Sequence, residues 1–249
     1  VAFNAYNILI HYNFIENCHY SFETWTTADD IMNNVVFANN TCLNAGYSWS
    51  YDQRPDAGNE SDVMIWTTDG THTNVKIVNN IFDGSRTKSL YIKEETAYGG
   101  LIMDHNLYNC DVVAMSAAGT FTTLANWQTE SSQEANSIDN DPLFVSETDF
   151  NLQSTSPAIN VGTDVGSAFI GNAPDIGAYE FGDSQNIYYI KPSPDGDNTT
   201  GDGSIGNPWA TLAYACTRVS SGDTIYVTQG TFTETQQSAI GVGVSIYGA

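Results

Sequence analysis

Positive charge is scarce in this chain. It has 7 Lys and Arg against 29 Asp and Glu in 249 residues, a formal net charge of −22. Phosphate binding needs clustered Lys and Arg, so the composition excludes nucleic acid as a natural partner. It also disfavours anionic membranes and polyanionic glycans unless cations mediate. Solubility, divalent-cation binding or a saline setting is favoured instead. Long apolar runs are missing too, so no segment is expected to insert into a membrane as a helix. There is no signal-peptide pattern, and repeat-like sequence is already under way at Val1, which is therefore not expected to be the natural start. Histidine is rare, and His11, His19, His72 and His105 show no metal-ligand spacing. The cysteines are Cys18, Cys42, Cys110 and Cys216. Cys18 and Cys110 fall about three repeats apart, too far for a disulfide. All four read as small buried apolar groups, and they leave the redox compartment open.

What the chain does have is a repeated phrase. It occupies Asn7–Asn17, Asn34–Asn44, Asn74–Gly84 and Gly100–Cys110. Its second and fourth positions are always apolar: Ile8, Val35, Val75 and Leu101, then Ile10, Phe37, Ile77 and Met103. Such alternation marks a short strand with one buried face. The seventh position is always Asn, at Asn13, Asn40, Asn80 and Asn106, and the ninth is Ile15, Cys42, Phe82 and Tyr108, again facing inward. A repeat of this length argues for stacked coils of short strands at ~4.8 Å spacing. The four Asn would then stack at one turn as a hydrogen-bonded amide ladder. The alternative is a β-sandwich with coincidental Asn-rich turns.

These rows resemble right-handed parallel β-helix repeat proteins, the architecture of the pectate-lyase-like superfamily and of many bacterial secreted proteins. The resemblance implies an all-β solenoid. A second stretch strengthens it: Ser137-Ile-Asp-Asn-Asp-Pro-Leu-Phe144, Asp149-Phe-Asn-Leu152, Ser156-Pro-Ala-Ile-Asn160 and Pro174-Asp-Ile-Gly-Ala-Tyr-Glu-Phe181 resemble the closing segment of bacterial secreted β-helix proteins. Such a segment is expected to shield the unpaired edge at the end of the solenoid. Just before it, Thr122–Trp127 reads as a short surface helix.

Residues 183–249 look like a beginning. Asn186–Pro192 reads as a strand, Ser193–Gly203 as an acidic turn, and Asn207–Val219 as a capping helix near 208–219 with Trp209, Leu212, Cys216 and Val219 at helical spacing. Strands Asp223–Val227 and Val244–Tyr247 follow. This order resembles the N-terminal cap and first coils of the same family. Residues 1–182 are thus expected to be the last coils and closing cap of one β-helix. Residues 183–249 would open the next tandem copy, or the same helix if the chain is circularly permuted.

Three groups of residues are candidates for chemistry. The first is an insertion carrying Tyr47, Trp49, Tyr51, Asp52, Arg54 and Asp56, where rings beside charged groups suit sugar stacking; an ordinary loop covering the core edge is the alternative. The second is Arg86, Lys88 and Lys93, with Lys76 nearby: four of the seven basic residues in one repeat. The resemblance implies a polysaccharide lyase, in which one of these would remove a proton beside a uronate carboxylate; a solvated face with Lys93 paired to Glu is the alternative. The third is Asp195, Asp197, Asn198 and Asp202, which offer hard oxygen ligands for Ca²⁺ without EF-hand spacing; a solvated turn is the alternative. No lyase signature is present. The expected function is a non-catalytic module of a large secreted or surface-attached protein: an adhesin, stalk or filament segment that contacts neighbouring copies of itself and polysaccharide. A carbohydrate-active enzyme remains the second reading.

Overall fold

The computed structural model describes residues 4–27, 29–47, 53, 58–67, 71–93, 100–182, 186–219, 223–239 and 244–248. Of the insertion, Trp49, Tyr51, Asp52, Arg54 and Asp56 lie outside the described residues, as do Glu94 and Glu95. Backbone contacts divide the chain into Val1–Phe181 and Gly182–Ala249.

The first unit is built from rows of three strands. The rows are β1 (Asn4–His11), β2 (Phe14–Glu16), β3 (Tyr20–Thr26); β4 (Ile31–Ala38), β5 (Thr41–Leu43), β6 (Ser61–Thr67); β7 (Thr71–Val78), β8 (Ile81–Asp83), β9 (Leu90–Ile92); and β10 (Leu101–Asp104), β11 (Leu107–Asn109), β12 (Ala114–Ser116). Each strand of a row pairs in parallel with its counterpart in the next row. The first sheet has the order β1-β4-β7-β10. The second is β2-β5-β8-β11 extended by β14 (Ile138–Asp139), and the third is β3-β6-β9-β12 closed by antiparallel β13 (Gly119–Phe121). The fold is therefore all-β with parallel sheets.

Register brings the apolar columns together. Ile8, Val35, Val75 and Leu101 align across the first sheet, as do Ile10, Phe37, Ile77 and Met103. Val35, Phe37, Val75, Ile77, Phe82, Tyr108, Val63, Ile65, Leu90 and Ile92 form the main core. The turns between strands use the left-handed backbone region. Asn17 and Asn44 (φ 53° and 55°) follow the second strand of their rows, and Tyr12, Asn39, Asn79 and His105 (φ 53°, 50°, 58° and 54°) the first. Asn7, Asn34 and Asn74 (φ 56°, 54° and 52°) sit within the first strands. Asn recurs because its short side chain tolerates this region better than other non-glycine residues do.

α1 (Leu124–Ser131) starts at Thr123, whose hydroxyl accepts from the Asn126 amide. It is at the surface on one side only, where Ala125, Asn126, Thr129 and Glu130 are exposed. Leu124 and Trp127 join the main core, with Trp127 fully buried against Phe121. A helix with one large apolar side chain at the end of a strand stack removes that end from water.

Of the segment expected to cap that end, only its start does so, where β14 pairs with β11; the rest lies elsewhere. After the antiparallel pair β15 (Phe144–Ser146) and β16 (Asp149–Leu152), it crosses the outer face of the second sheet. Ile81 and Leu107 point outward there and form a second core with Leu152, Ala158 and Ile176. The turn residues hold the segment by hydrogen bonds: Asn39 Nδ2 to Asp175 O (3.0 Å), Asn79 Nδ2 to Thr163 O (2.7 Å) and Tyr12 Oη to Ala168 O (3.0 Å). The Ala178 amide donates to Thr41 Oγ1 (2.9 Å). The alternation rule failed here because these short strands are apolar on both faces, so a second layer was needed to cover the outer one.

The closing motif can be read residue by residue. Asp175 Oδ1 accepts from the Asn160 amide (2.6 Å), Oδ2 accepts from the Phe181 amide, and Ile176 enters the second core. Gly177 has φ +109°, and a Cβ there would meet Ile81 Cδ1 at 2.6 Å. Gly177→Ala is expected to destabilise the protein by roughly 1–3 kcal/mol. It should also speed proteolysis within residues 153–175, since the strap loses its closest approach to the sheet. Unchanged cleavage rates would contradict this placement.

The second unit contains β17 (Ile187–Ile190), α2 (Leu212–Cys216), β18 (Thr224–Val227) and β19 (Ser245–Gly248), with parallel order β17-β18-β19. The expected helix near 208–219 shrinks to five residues. Trp209 is extended, bridging to Ile190 and stacking on Tyr188 at 4.8 Å. The Thr211 N-cap fixes the start, and a turn in which Thr217 and Arg218 bond back to Tyr214 and Ala215 ends it. Trp209, Ala215, Leu212 and Val219 still meet in one core with Ile190 and Ile225. The cysteines also differ from expectation: only Cys42 is buried, while Cys18, Cys110 and Cys216 are half-buried. The latter three lie near turns and helix ends, beyond the alternating apolar columns.

Candidate functional site

The most ordered polar feature is the Asn column between the first two sheets. Asn13 Nδ2 donates to Asn40 Oδ1 (2.9 Å), Asn40 Nδ2 to Asn80 Oδ1 (3.0 Å), and Asn80 Nδ2 to Asn106 Oδ1 (3.2 Å). The backbone amides of Asn13, Asn40 and Asn80 donate to the same three oxygens at 3.0 Å. Asn40, Asn80 and Asn106 are fully buried. Their remaining amide protons reach backbone carbonyls of the preceding row, such as Asn80 Nδ2 to Phe37 O (3.0 Å). The column satisfies backbone groups that the turn leaves without a strand partner. The Asn-to-Asn hydrogen bonds all run the same way, each Asn donating to the Oδ1 of the Asn in the next row toward Asn106, so the two ends of the column are chemically different.

One end is closed. Asn106 Nδ2 donates to the Glu134 carboxylate (3.1 Å to Oε2), and its backbone amide donates to Ser137 Oγ (2.8 Å). Ser137 precedes β14 as Asn106 precedes β11, so a fifth row is present in which Glu134 and Ser137 share the work of an Asn. Glu134 is 0% exposed and also accepts from Tyr108 Oη (2.6 Å) and Ser137 Oγ. Burial pushes its carboxyl up to about 7; the three hydrogen bonds pull the other way, and Asp104 adds to the rise. The free edge of β10 is met as well: the Met103 amide donates to Gln133 Oε1 (2.6 Å), and the Glu134 amide to Met103 O (2.9 Å).

At the opposite end the described residues supply no further row. β1, β2 and β3 stand at the edges of their sheets and pair on one side only among the described residues. Asn13 is exposed, and no donor reaches its Oδ1 among the described residues. Ile8, in an inward column, is 40% exposed, and Tyr6 and Leu9 beside it are 50% and 49% exposed. Trp25 stacks on Trp66 at 4.8 Å and 8°, and is itself 53% exposed. Stacked rings offer water their edges; Trp25, at the edge of its sheet, has one indole face beyond that stack.

The basic residues do not gather on one site. Lys93 Nζ lies 3.5 Å from the centroid of Trp66, Lys88 Nζ 5.1 Å from that of Tyr91, and the Arg86 guanidinium 5.5 Å from that of Tyr47. Lys88 is 3% exposed and donates to the backbone carbonyls of Gly58 and Glu60. Burial lowers its pKa, against an opposing pull from Glu60. Its described contacts fasten residues 58–60 rather than face a groove. Tyr47 is exposed, and it borders a small recess of about 250 Å³ with Ser85 and Cys110. Deeper in, the Ser85 hydroxyl donates to Asp62, a fully buried carboxyl raised chiefly by desolvation.

The acidic turn of the second unit caps itself. Asp197 Oδ1 accepts from the Thr199 amide (2.6 Å) and Asp202 Oδ1 from the Ser204 amide (2.9 Å). These local bonds lower the pKa of each, with Thr199 first for Asp197 and Ser204 first for Asp202. Asn198 Oδ1 accepts from the Ala210 amide (2.8 Å), and its Nδ2 donates to Thr211 Oγ1 (2.8 Å), tying the turn to the start of α2. Asp195 lies in the same turn, with its amide donating to Pro192 O (3.2 Å). Sequence reasoning missed Glu134 and Ser137 because no Asn marks the fifth row. The aligned Ser137-Ile138 step was the available signal. Compared with family models, curated proteins and solved structures, the chain matches none.

Proposed function

We propose that this chain is a non-catalytic module of a right-handed parallel β-helix, serving as a stalk, adhesin or filament segment outside the cell. The observation that carries the reading is the difference between the two ends of the row stack. The Glu134 end has its ladder, strand edge and core all covered. The Asn13 end offers an unfilled amide acceptor, bare strand edges and exposed apolar side chains, which together suit another row of the same kind.

The partner is a neighbouring copy of this module. β19 pairs on one side only among the described residues, and the rows of the second unit run in the same chain order as those of the first. Its edge therefore has the polarity to lie beside β1 of the next copy. Such head-to-tail contact propagates as a filament unless its rotation closes a ring. The strong negative charge argues against a nucleic-acid or membrane binder.

Sedimentation velocity over a concentration series tests this. The wild-type chain is expected to grow in size with concentration. Ile8→Lys, which places a charge on the exposed edge, should hold it at one small species. A wild-type chain that stays monomeric throughout would overturn the proposal.

A further inference from the structure

A cleft of about 440 Å³ opens on the outer face of the second sheet, beside the β15–β16 pair. Its walls combine two chemistries. Leu43, Phe144 and Phe150 supply the apolar part, and Glu16, Asp83, Asp141 and Glu147 supply carboxylates; no Lys, Arg or His lines it among the described residues. Phe150 is held edge-on to Phe144 (centroids 5.4 Å apart) and against Phe14 (4.5 Å), so the aromatic wall is built into the fold. Gln153 Nε2 donates to Phe144 O (2.7 Å) and braces the same wall.

The carboxylates are spaced by the sheet itself. Glu16, Leu43 and Asp83 are direct neighbours in register across β2, β5 and β8. Adjacent strands lie ~4.8 Å apart, so Glu16 and Asp83 are about 10 Å apart with Leu43 between them. Among the described residues no group of three or more His, Cys, Asp or Glu is placed to hold a metal ion. Asp83 accepts from Asn109 Nδ2 (2.7 Å) and is half-buried beside Asp141. Its carboxyl is raised by burial first and by the Asp141 charge after that. The cleft thus gathers like charges, Asp83 half-buried and Glu16, Asp141 and Glu147 exposed, with no cation supplied by its own described lining.

We propose that this cleft binds an aliphatic polyamine. Its ammonium groups sit at Glu16 and at the Asp83–Asp141 pair, and its methylene chain crosses Leu43 against Phe144 and Phe150. The acid–apolar–acid order along the register matches the ammonium–methylene–ammonium order of such a molecule. Aromatic faces favour the alkylammonium further by cation–π attraction.

Isothermal titration of the full chain with spermidine at physiological salt tests the site. One saturable site per chain is expected. Phe150→Ala should weaken it about tenfold or more, and Glu16→Gln several-fold, since a charge-assisted contact is lost. Glu16 is exposed, so its variant folds whatever Phe150→Ala does. Glu130→Gln, on the exposed side of α1, removes equal charge away from the cleft and should change nothing. Three results would overturn the proposal: no saturable heat, equal weakening by Glu130→Gln, or a Ca²⁺ titration giving the same heat and the same loss in Glu16→Gln.

Discussion

Asn80→Leu is expected to be the most damaging single substitution in the first unit. Asn80 Oδ1 accepts from both the backbone amide and the side-chain amide of Asn40, each at 3.0 Å. Its own Nδ2 supplies Phe37 O and Val78 O at 3.0 Å and Asn106 Oδ1 at 3.2 Å. Leucine fills similar space and satisfies none of these. Each buried group left without a partner costs roughly 1–3 kcal/mol, and the two donors on Asn40 alone bring the total to about 3–5 kcal/mol. Whole domains are stable by roughly 5–15 kcal/mol, so much of the margin would go. Asn13→Leu, at the exposed end of the same column, should cost well under half as much because water replaces its partners. Urea denaturation of the two variants measures the difference. Equal losses would mean that the column does not carry the turn.

Glu134 should make stability fall as pH rises. Its carboxyl lies at about 7 in the folded chain against an ordinary 4.5, so the folded state binds its proton more tightly than the unfolded state does. A raised carboxyl contributes stability that is fully present below pH 4.5 and lost as pH climbs through about 7. At ~1.4 kcal/mol per unit, the contribution is roughly 3 kcal/mol. Glu134→Gln keeps the shape and cannot ionise. Its stability relative to wild type is therefore expected to improve across that window and to level off above it. Taking the difference between the two proteins removes the general effect of the other carboxylates. A difference that stays flat with pH would refute the role given to Glu134.

The strands of the four rows were legible because their signal is local. Alternation at Ile8 and Ile10, Val35 and Phe37, Val75 and Ile77 needs no knowledge of distant chain. The Asn column was visible as a column, although its polarity was not: that depends on which carbonyl each amide proton reaches. The left-handed turn residues Tyr12, Asn39, Asn79 and His105 read only as structural neighbours of the Asn column. Tyr12, Asn39 and Asn79 in fact hold the strap formed by the closing segment, across 156, 136 and 84 residues of chain. Long-range pairing of that kind leaves no periodic trace. The strap itself was recognised as a motif but expected at the end of the stack, because edge protection was the only task considered for it. Trp127 was read as a surface residue for the reverse reason: one aromatic in a polar helix gives almost no amphipathic pattern, yet it plugs the core.

The candidate chemistry separated along similar lines. Lys88 stood out by composition, and its burial against the Gly58 and Glu60 carbonyls could not be inferred from spacing. The carboxylates of the cleft come from β2, β8, the stretch before β15 and the β15–β16 turn, and only register makes Glu16 and Asp83 neighbours across Leu43.

Amide hydrogen exchange of β1 as a function of protein concentration tests the open-edge account most directly. Protection within Asn4–His11 is expected to rise as copies meet, while β10, already covered by residues 133–136, stays unchanged. Exchange in Asn4–His11 that is independent of concentration, up to the highest reached, would contradict it.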